Sequence, residues 1–178
     1  MNEEELLDAC VKGKPSAQKL LFERYAPIMM GVVIRYINDQ ERANDVLQDG
    51  FIKIFKNIKT FKKDGSFEGW MRRIMINTAL DQLRKNKKNY LHVDVDDVKT
   101  NLSVDSNVES KMQTDVLLNL VQQLPDGYRT VFNLYAIEGY THKEIGEMLE
   151  IAENTSKSQY SRARGILRNM LKELNIER

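Results

Sequence analysis

The sequence predicts an all-α protein: two small helical domains joined by an acidic flexible linker, the second domain carrying a helix-turn-helix. Three observations carry that prediction. Apolar residues recur at the helical period through almost every segment outside residues 89–112. Three prolines and nine glycines are too few for the many turns of an all-β sandwich. Around 89–112 the period breaks and the charge turns acidic, with 2 basic against 6 acidic residues over 91–115. The expected division is therefore a domain over 1–88, a linker over 89–112 and a second domain over 113–178.

Taken in order, Leu6, Leu7 and Cys10 mark a short first helix. Ala17, Leu20, Leu21, Ile28 and Met29 mark a longer second one, in which Pro27 predicts a kink or a restart. A third helix runs from about Glu41 to Ile58 and a fourth from about Glu68 to Lys88. Residues Leu91 to Asp96 alternate as a strand would, but no partner strand is visible elsewhere. The helical period returns over 113–123, is punctuated by Leu124-Pro125-Asp126-Gly127, and continues over 128–138, 142–149 and 155–174.

Composition narrows the function. Length 178 suits one domain or two small ones, and 42% apolar residues exclude wholesale disorder. One cysteine and two histidines exclude a disulfide framework and a zinc ribbon, and no cofactor or metal is expected. The longest stretch without charge or strong polarity, Tyr25 to Ile34, is too short to cross a bilayer, so no membrane insertion and a cytoplasmic location are expected. The net charge of +1 conceals a strong pattern: residues 53–90 carry 11 basic and 3 acidic side chains, and residues 154–169 carry 4 basic and none acidic. Such blocks point to an anionic partner, although solvated helix faces would produce the same pattern.

Three helices carry more than core packing requires. On the third, Ala43, Val46, Leu47, Ile54 and Ile58 share one side, while Glu41, Asp45, Gln48 and Asp49 lie opposite, around Ile52. An acidic rim around an apolar residue suits docking on a basic protein surface. On the fourth, Met75, Ile76, Ala79, Leu80 and Leu83 form the inner face. Its outer face offers Trp70, Arg73, Asn77, Asp81, Arg84 and Lys88, preceded by a loop with Phe61, Lys62, Lys63 and Phe67. Cations and flat rings together suit single-stranded nucleic acid, whereas either Trp70 or Phe67 alone could equally cap the core.

The last two helices form the sharpest pattern. Thr141 and Glu144 fit a capping box that opens a short helix with Ile145, Met148 and Leu149 inside. After a tight turn, a longer helix buries Tyr160, Ala163, Leu167, Met170, Leu171 and Leu174. It presents Lys157, Ser158, Ser161, Arg162, Arg168 and Lys172 outward, with Thr155 and Arg164 at the margins. A short helix, a turn and a second helix with Arg and small polar residues is the helix-turn-helix arrangement that reads the major groove; a plain helical hairpin is the alternative. His142 reads as an exposed first-turn residue, and Cys10 as a core or surface thiol.

These residues resemble a known family. Asp45-Val46-Leu47-Gln48-Asp49-Gly50-Phe51, then Phe67-Glu68-Gly69-Trp70-Met71-Arg72-Arg73-Ile74 through Ala79-Leu80-Asp81-Gln82-Leu83-Arg84, and Gly139-Tyr140-Thr141-His142-Lys143-Glu144-Ile145 through Ser161-Arg162-Ala163-Arg164 look like the sigma-70 family, in its small two-domain extracytoplasmic-function group. The resemblance spans nearly the whole chain, in the right order and spacing. It implies a bacterial transcription initiation factor, not an enzyme, whose partners are core RNA polymerase, promoter DNA as duplex and melted strand, and an anti-sigma factor that can be membrane-bound.

By that resemblance, 1–88 is a region 2-like domain and 113–178 a region 4-like one. Asp45, Gln48, Asp49 and Ile52 would dock on the polymerase clamp helices. Phe61, Lys62, Lys63 and Phe67 would capture a flipped minus-ten base, and Trp70, Arg73, Asn77, Asp81, Arg84 and Lys88 would hold the non-template strand. Thr155, Lys157, Ser158, Ser161, Arg162 and Arg164 would read the minus-thirty-five element. The chain departs from the family pattern at Glu150, where a turn glycine is usual, at Ala152, where a serine cap is usual, and at Ser156, in place of a branched aliphatic. Two alternatives remain from the residues alone: a helical adaptor whose charge blocks dock proteins, and a helical hydrolase using Asp45 and Asp49.

Overall fold

The computed structural model describes residues 2–85 and 111–174, with side chains from residue 116 onward in the second stretch. All regular structure among them is helical, in two compact units, one within Met1–Lys85 and one within Asn86–Arg178. The alternating segment 91–96 and the linker expected over 89–112 lie outside the described residues, apart from Lys111 and Met112, which already belong to a helix.

In the first unit, α1 (Glu3–Val11) opens on a capping box. The Asn2 side chain accepts from the Glu5 N–H at 2.8 Å, and the Glu5 carboxylate accepts from the Asn2 N–H at 3.0 Å. Glu3, Glu4 and Glu5 sit in the first turn, where the helix dipole favours negative charge. α2 (Pro15–Val33) starts on a proline, whose missing N–H costs nothing at that position. It runs unbroken through Pro27, so the expected restart does not occur; Pro27 and Glu23 are both exposed, and water can satisfy the carbonyl that the ring frees.

α3 (Gln40–Asn57) is capped by Asp39, which accepts from the Arg42 N–H at 2.8 Å. A 3-10 turn, Ile58–Thr60, and a loop lead to α4 (Phe67–Lys85), whose first turn is tied by the Gly69 N–H donating to the Ser66 hydroxyl at 3.2 Å. The expected inner faces of both helices are buried. α3 and α4 cross closely at Gly50: a Cβ there would run into the Met75 side chain. Leu6, Leu21, Met29, Val33, Ile54, Met71 and Leu80 complete this core.

The second unit comprises α5 (Lys111–Gln122), α6 (Asp126–Phe132), a π-helical turn (Asn133–Ile137), α7 (His142–Leu149) and α8 (Glu153–Glu173). Leu120, Val121, Leu124, Tyr128, Ala163, Leu167 and Met170 form its core. Into it α6 sends Arg129, whose side chain is 2% exposed. Its guanidinium donates to the Leu124 carbonyl at 2.9 Å, the Gln122 carbonyl at 3.3 Å and the Asp126 carboxylate at 2.6 Å. Gln122 is the last residue of α5 and Leu124 lies just beyond it, so a charged side chain closes the end of a helix from inside the core. The sequence period predicted helix over 128–138; the backbone instead widens by one residue, the Glu138 N–H donating to the Asn133 carbonyl at 3.0 Å.

The turn between α7 and α8 shows how the chain manages without the usual glycine. Glu150 itself takes the left-handed conformation, with φ of 57°. The glycine that matters is Gly146, one turn earlier: a Cβ there would meet the Ile151 carbonyl oxygen at 2.8 Å, the same oxygen region that the turn folds back over α7. The Ile151 N–H donates to the Gly146 carbonyl at 3.0 Å. At the start of α8, Ala152 supplies no side-chain cap. A left-handed L-residue costs about 1–2 kcal/mol, partly offset by the smaller unfolded-state freedom of a non-glycine residue. Glu150→Gly is therefore expected to stabilise this unit by about 0.5–1 kcal/mol, read as a raised Tm in thermal unfolding of the full chain.

Candidate nucleic-acid and protein interfaces

The outer face of α3 is built as its period dictates. Asp45, Gln48 and Asp49 are exposed, and Ile52 stands among them with half its surface in water. A single exposed isoleucine is ordinary; Phe22 on α2 is also exposed, and it meets the buried Phe51 of α3 edge-on at 4.7 Å. Carboxylates flanking an apolar centre can pair with a basic partner and exclude water over the middle of the contact. Among the described residues no group of three or more His, Cys, Asp and Glu side chains could hold a metal ion, so the hydrolase alternative finds no ligand set there.

The second surface is a cleft of about 440 Å³ between the loop before α4 and the first turns of that helix. Phe61, Lys62, Trp70 and Arg73 line it, together with Thr60, Asp64, Gly65, Ser66 and Gly69. Three rings pack at its base. Phe67 lies under Trp70 with ring centres 5.6 Å apart and planes 22° apart, and Phe61 leans on both at 5.2 and 5.7 Å. Phe67 is only 2% exposed, which corrects its expected role: it has no open face to give a base. Its ring instead meets Tyr25 edge-on at 5.9 Å and supports Trp70 from below. Trp70 and Phe61 are partly exposed and Lys62 is exposed, leaving two rings and a cation at the mouth.

Lys63 also departs from expectation. It belongs to the same loop but its ammonium is held by α1, 3.0 Å from Glu4 and 3.4 Å from Asp8. Farther along α4, Arg73 and Asn77 are exposed. Asp81 bridges two cations, the Lys53 ammonium at 3.0 Å on one oxygen and the Arg84 guanidinium at 3.6 Å on the other. Its carboxylate would repel a phosphate, so its contribution is to hold Lys53 and Arg84 beside each other. Lys53 was absent from the sequence-based set; its inclusion needs the crossing of α3 over α4, which local periodicity does not reveal. Lys88 lies outside the described residues.

The third surface is the outer face of α8. Lys157, Ser158, Ser161, Arg162 and Arg164 are exposed and Thr155 partly so. Lys157 pairs with Glu153 at 2.7 Å, the Ser158 hydroxyl donates to the Thr155 carbonyl at 3.0 Å, and Arg164 lies over the Tyr160 ring at 5.8 Å. α7 is fixed by the expected capping box: the Glu144 carboxylate accepts from the Thr141 N–H at 2.8 Å, and the Thr141 hydroxyl from the Glu144 N–H at 3.3 Å. The Thr141 N–H first, and then the Thr141 hydroxyl, which donates to the same carboxylate at 2.8 Å, hold the Glu144 carboxyl below the usual carboxylate range.

His142 is not the exposed residue its sequence position suggested. Its ring lies parallel to Tyr135, 4.2 Å away with planes 9° apart, and its Nδ1 is 2.9 Å from the hydroxyl of Ser156, which is fully buried. The departure at Ser156 thus places a hydroxyl where it partners the imidazole and joins α7 to α8. Burial, and then the Lys157 charge, lower the His142 pKa below 6.5. A lowered folded-state pKa means the unfolded chain binds the extra proton first. The stability this histidine supplies is complete above pH 6.5 and declines as pH falls through its folded value. Full-chain unfolding followed at pH 5 and pH 7.5 should show this loss, and His142→Gln should flatten it.

Comparison with known proteins gives the family and the fold. Residues 21–89 match the model for sigma-70 region 2, and residues 114–167 the model for sigma-70 region 4. The chain is 31% identical over 175 residues to the ECF RNA polymerase sigma factor SigW of Bacillus subtilis, covering 92% of this chain and 93% of that one. It is 27% identical to the ECF RNA polymerase sigma-E factor of Haemophilus influenzae, over 98% of this chain and 97% of the relative. Its fold is similar to that of the sigma factor RpoE solved with the anti-sigma factor NepR from Bartonella quintana, with a TM-score of 0.53 and 21% identity over 86% of this chain and 96% of that one.

Proposed function

The chain belongs to the sigma-70 family, in its extracytoplasmic-function group, and we propose that its three outward faces are the surfaces through which it performs that family's work. It is a transcription initiation factor: it binds core RNA polymerase and directs it to promoters. In our reading the residues 1–88 form the polymerase- and minus-ten-binding domain, 89–112 the linker and 113–178 the minus-thirty-five-binding domain.

On this proposal Asp45, Gln48, Asp49 and Ile52 seat α3 on a basic surface of the polymerase. The cleft takes an unpaired base of the melted strand on Trp70 and Phe61, and Lys62, Arg73, Asn77 and Arg84 accompany its backbone. Flipping a base costs a few kcal/mol, and stacking on an aromatic ring returns roughly 1–3 kcal/mol per base, so a small number of rings can bias a duplex towards opening. The cations add attraction that carries no sequence information and falls with salt. Specificity then rests with the cleft and with Thr155, Lys157, Ser158, Ser161, Arg162 and Arg164 on α8, in the major groove.

No covalent step is required of the chain, and we assign it no catalysis of its own. It would act in the cytoplasm, where the polymerase is; no described helix is long and apolar enough to cross a membrane. An anti-sigma factor is the regulator we assign to it, possession of which the family resemblance implies.

The observation that carries the reading is the cleft: partly exposed Trp70 and Phe61 beside Lys62 and Arg73, on the helix that follows an outward acidic face. The test is to combine the purified chain with core RNA polymerase and genomic DNA fragments and sequence the transcripts. Discrete start sites sharing upstream motifs are expected; random starts without a stable polymerase complex would move the assignment to a helical adaptor.

A further inference from the structure

α1 is tied to both sides of the aromatic cleft. On the loop side, Lys63 has a φ of 58°, in the left-handed region that L side chains rarely adopt. Its ammonium reaches back to two carboxylates of α1, Glu4 at 3.0 Å and Asp8 at 3.4 Å, residues more than fifty positions away in the chain. On the base side, the Tyr25 hydroxyl donates to the Glu3 carboxylate at 2.6 Å, and the Tyr25 ring packs edge-on against Phe67, the ring beneath Trp70. The hydroxyl's proton is held firmly there: burial first, then Glu3, pushes the Tyr25 pKa up to about 12.

We propose that Glu4 and Asp8 are positioning residues for the cleft: by holding Lys63 they set the loop between Phe61 and Phe67 in the shape that accepts a base, and Lys63 is a latch and not a phosphate contact. The inference rests on the reading of the cleft as a base-binding site. Its physical basis is that the loop is anchored at both ends, by Phe61 and Phe67 in the ring cluster. Its middle therefore chooses among few conformations, and a strained one persists only where surroundings over-determine it. A single exposed ion pair would settle little, but two acids from one rigid helix converge on the same ammonium.

Electrostatics and the latch predict opposite signs, which makes the idea testable. Removing two carboxylates beside a nucleic-acid surface should, by charge alone, tighten binding. The latch requires that it weaken. The probe is a random-sequence, 12-nucleotide single-stranded DNA, and the signal is the fluorescence of Trp70, the chain's one tryptophan, in the full-length protein.

Glu4→Gln combined with Asp8→Asn is expected to weaken binding several-fold, Lys63→Ala by a similar factor, and the triple variant no further. Lys63→Arg should restore affinity to the level of the parent chain. The slope of log Kd against log salt should be the same for Lys63→Ala as for the parent. Tighter binding by the double variant, or a slope reduced by about 0.7 in Lys63→Ala, the value of one lost contact on a single strand, would overturn the latch. Hydrogen exchange at the amides of residues 61–66 separates the two ideas. Should the parent chain leave Trp70 unquenched, the base-binding reading fails, and the latch still stands or falls on faster loop exchange in the double variant.

Discussion

Arg129→Ala is expected to unfold the second unit of the chain while leaving the first intact. The guanidinium makes three bonds at the core, one to the last carbonyl of α5, one to the Leu124 carbonyl just beyond it and one to Asp126. Truncation leaves the carbonyls without that partner, leaves a cavity in the core and strands the partly buried Asp126 charge. A hydrogen bond from a charged group is worth about 1.5–3 kcal/mol, so the loss of these bonds approaches what the core of a domain this small usually supplies, about 3–5 kcal/mol. Arg129→Lys should not rescue it, because one ammonium cannot reproduce the fork that reaches three acceptors. Hydrogen exchange resolved by residue would decide: amides of α6–α8 should exchange as in an unfolded chain, while those of α1–α4 keep their protection. Binding of minus-thirty-five duplex should disappear with them. Native protection throughout would mean that the charge in the core is dispensable.

Asp49→Arg should be the most damaging single change on the proposed polymerase-docking face. Asp49 is exposed on α3, between Asp45 and Ile52, so the substitution reverses a charge without disturbing the core. Facing a basic partner, the new guanidinium converts an attraction into a repulsion, and like-charge juxtaposition at an interface costs several kcal/mol. Association with core polymerase should weaken by at least about 100-fold, since each 1.4 kcal/mol is a factor of ten. Fluorescence anisotropy of the labelled chain against core polymerase would measure it, with circular dichroism confirming the unchanged helix content. Wild-type affinity would remove α3 from the interface.

Much of the fold was legible in the sequence because helices write their own period. The buried and exposed sides of α3 and α4 fall where the apolar spacing put them, and the Thr141–Glu144 box opens α7 as its residues require. What escaped were pairings between residues far apart in the chain. Arg129 looks like a surface residue until α5 is seen to end beside it. Phe67, at the boundary of a loop and a helix, could have faced either way; contact with Tyr25 on α2 turns it inward. Lys63 and Asp81 read as members of one basic face, yet each is engaged by charges brought from another helix. His142 acquires a partner in Ser156 only once α7 and α8 fold back on each other. The candidate site was thus found as a region, while the distinction between residues that touch a ligand and residues that hold others in place came from tertiary contacts.

The buried Cys10 has a consequence for signalling. It is the one thiol in the 178 residues, it lies in the core of the first unit, and burial raises its pKa, so little of the reactive thiolate is present and oxidants have poor access to it. Two sulfurs are needed to close a disulfide, and only one is here. A disulfide switch closed within these 178 residues is therefore ruled out, and the buried thiol is poorly placed to act as a redox sensor.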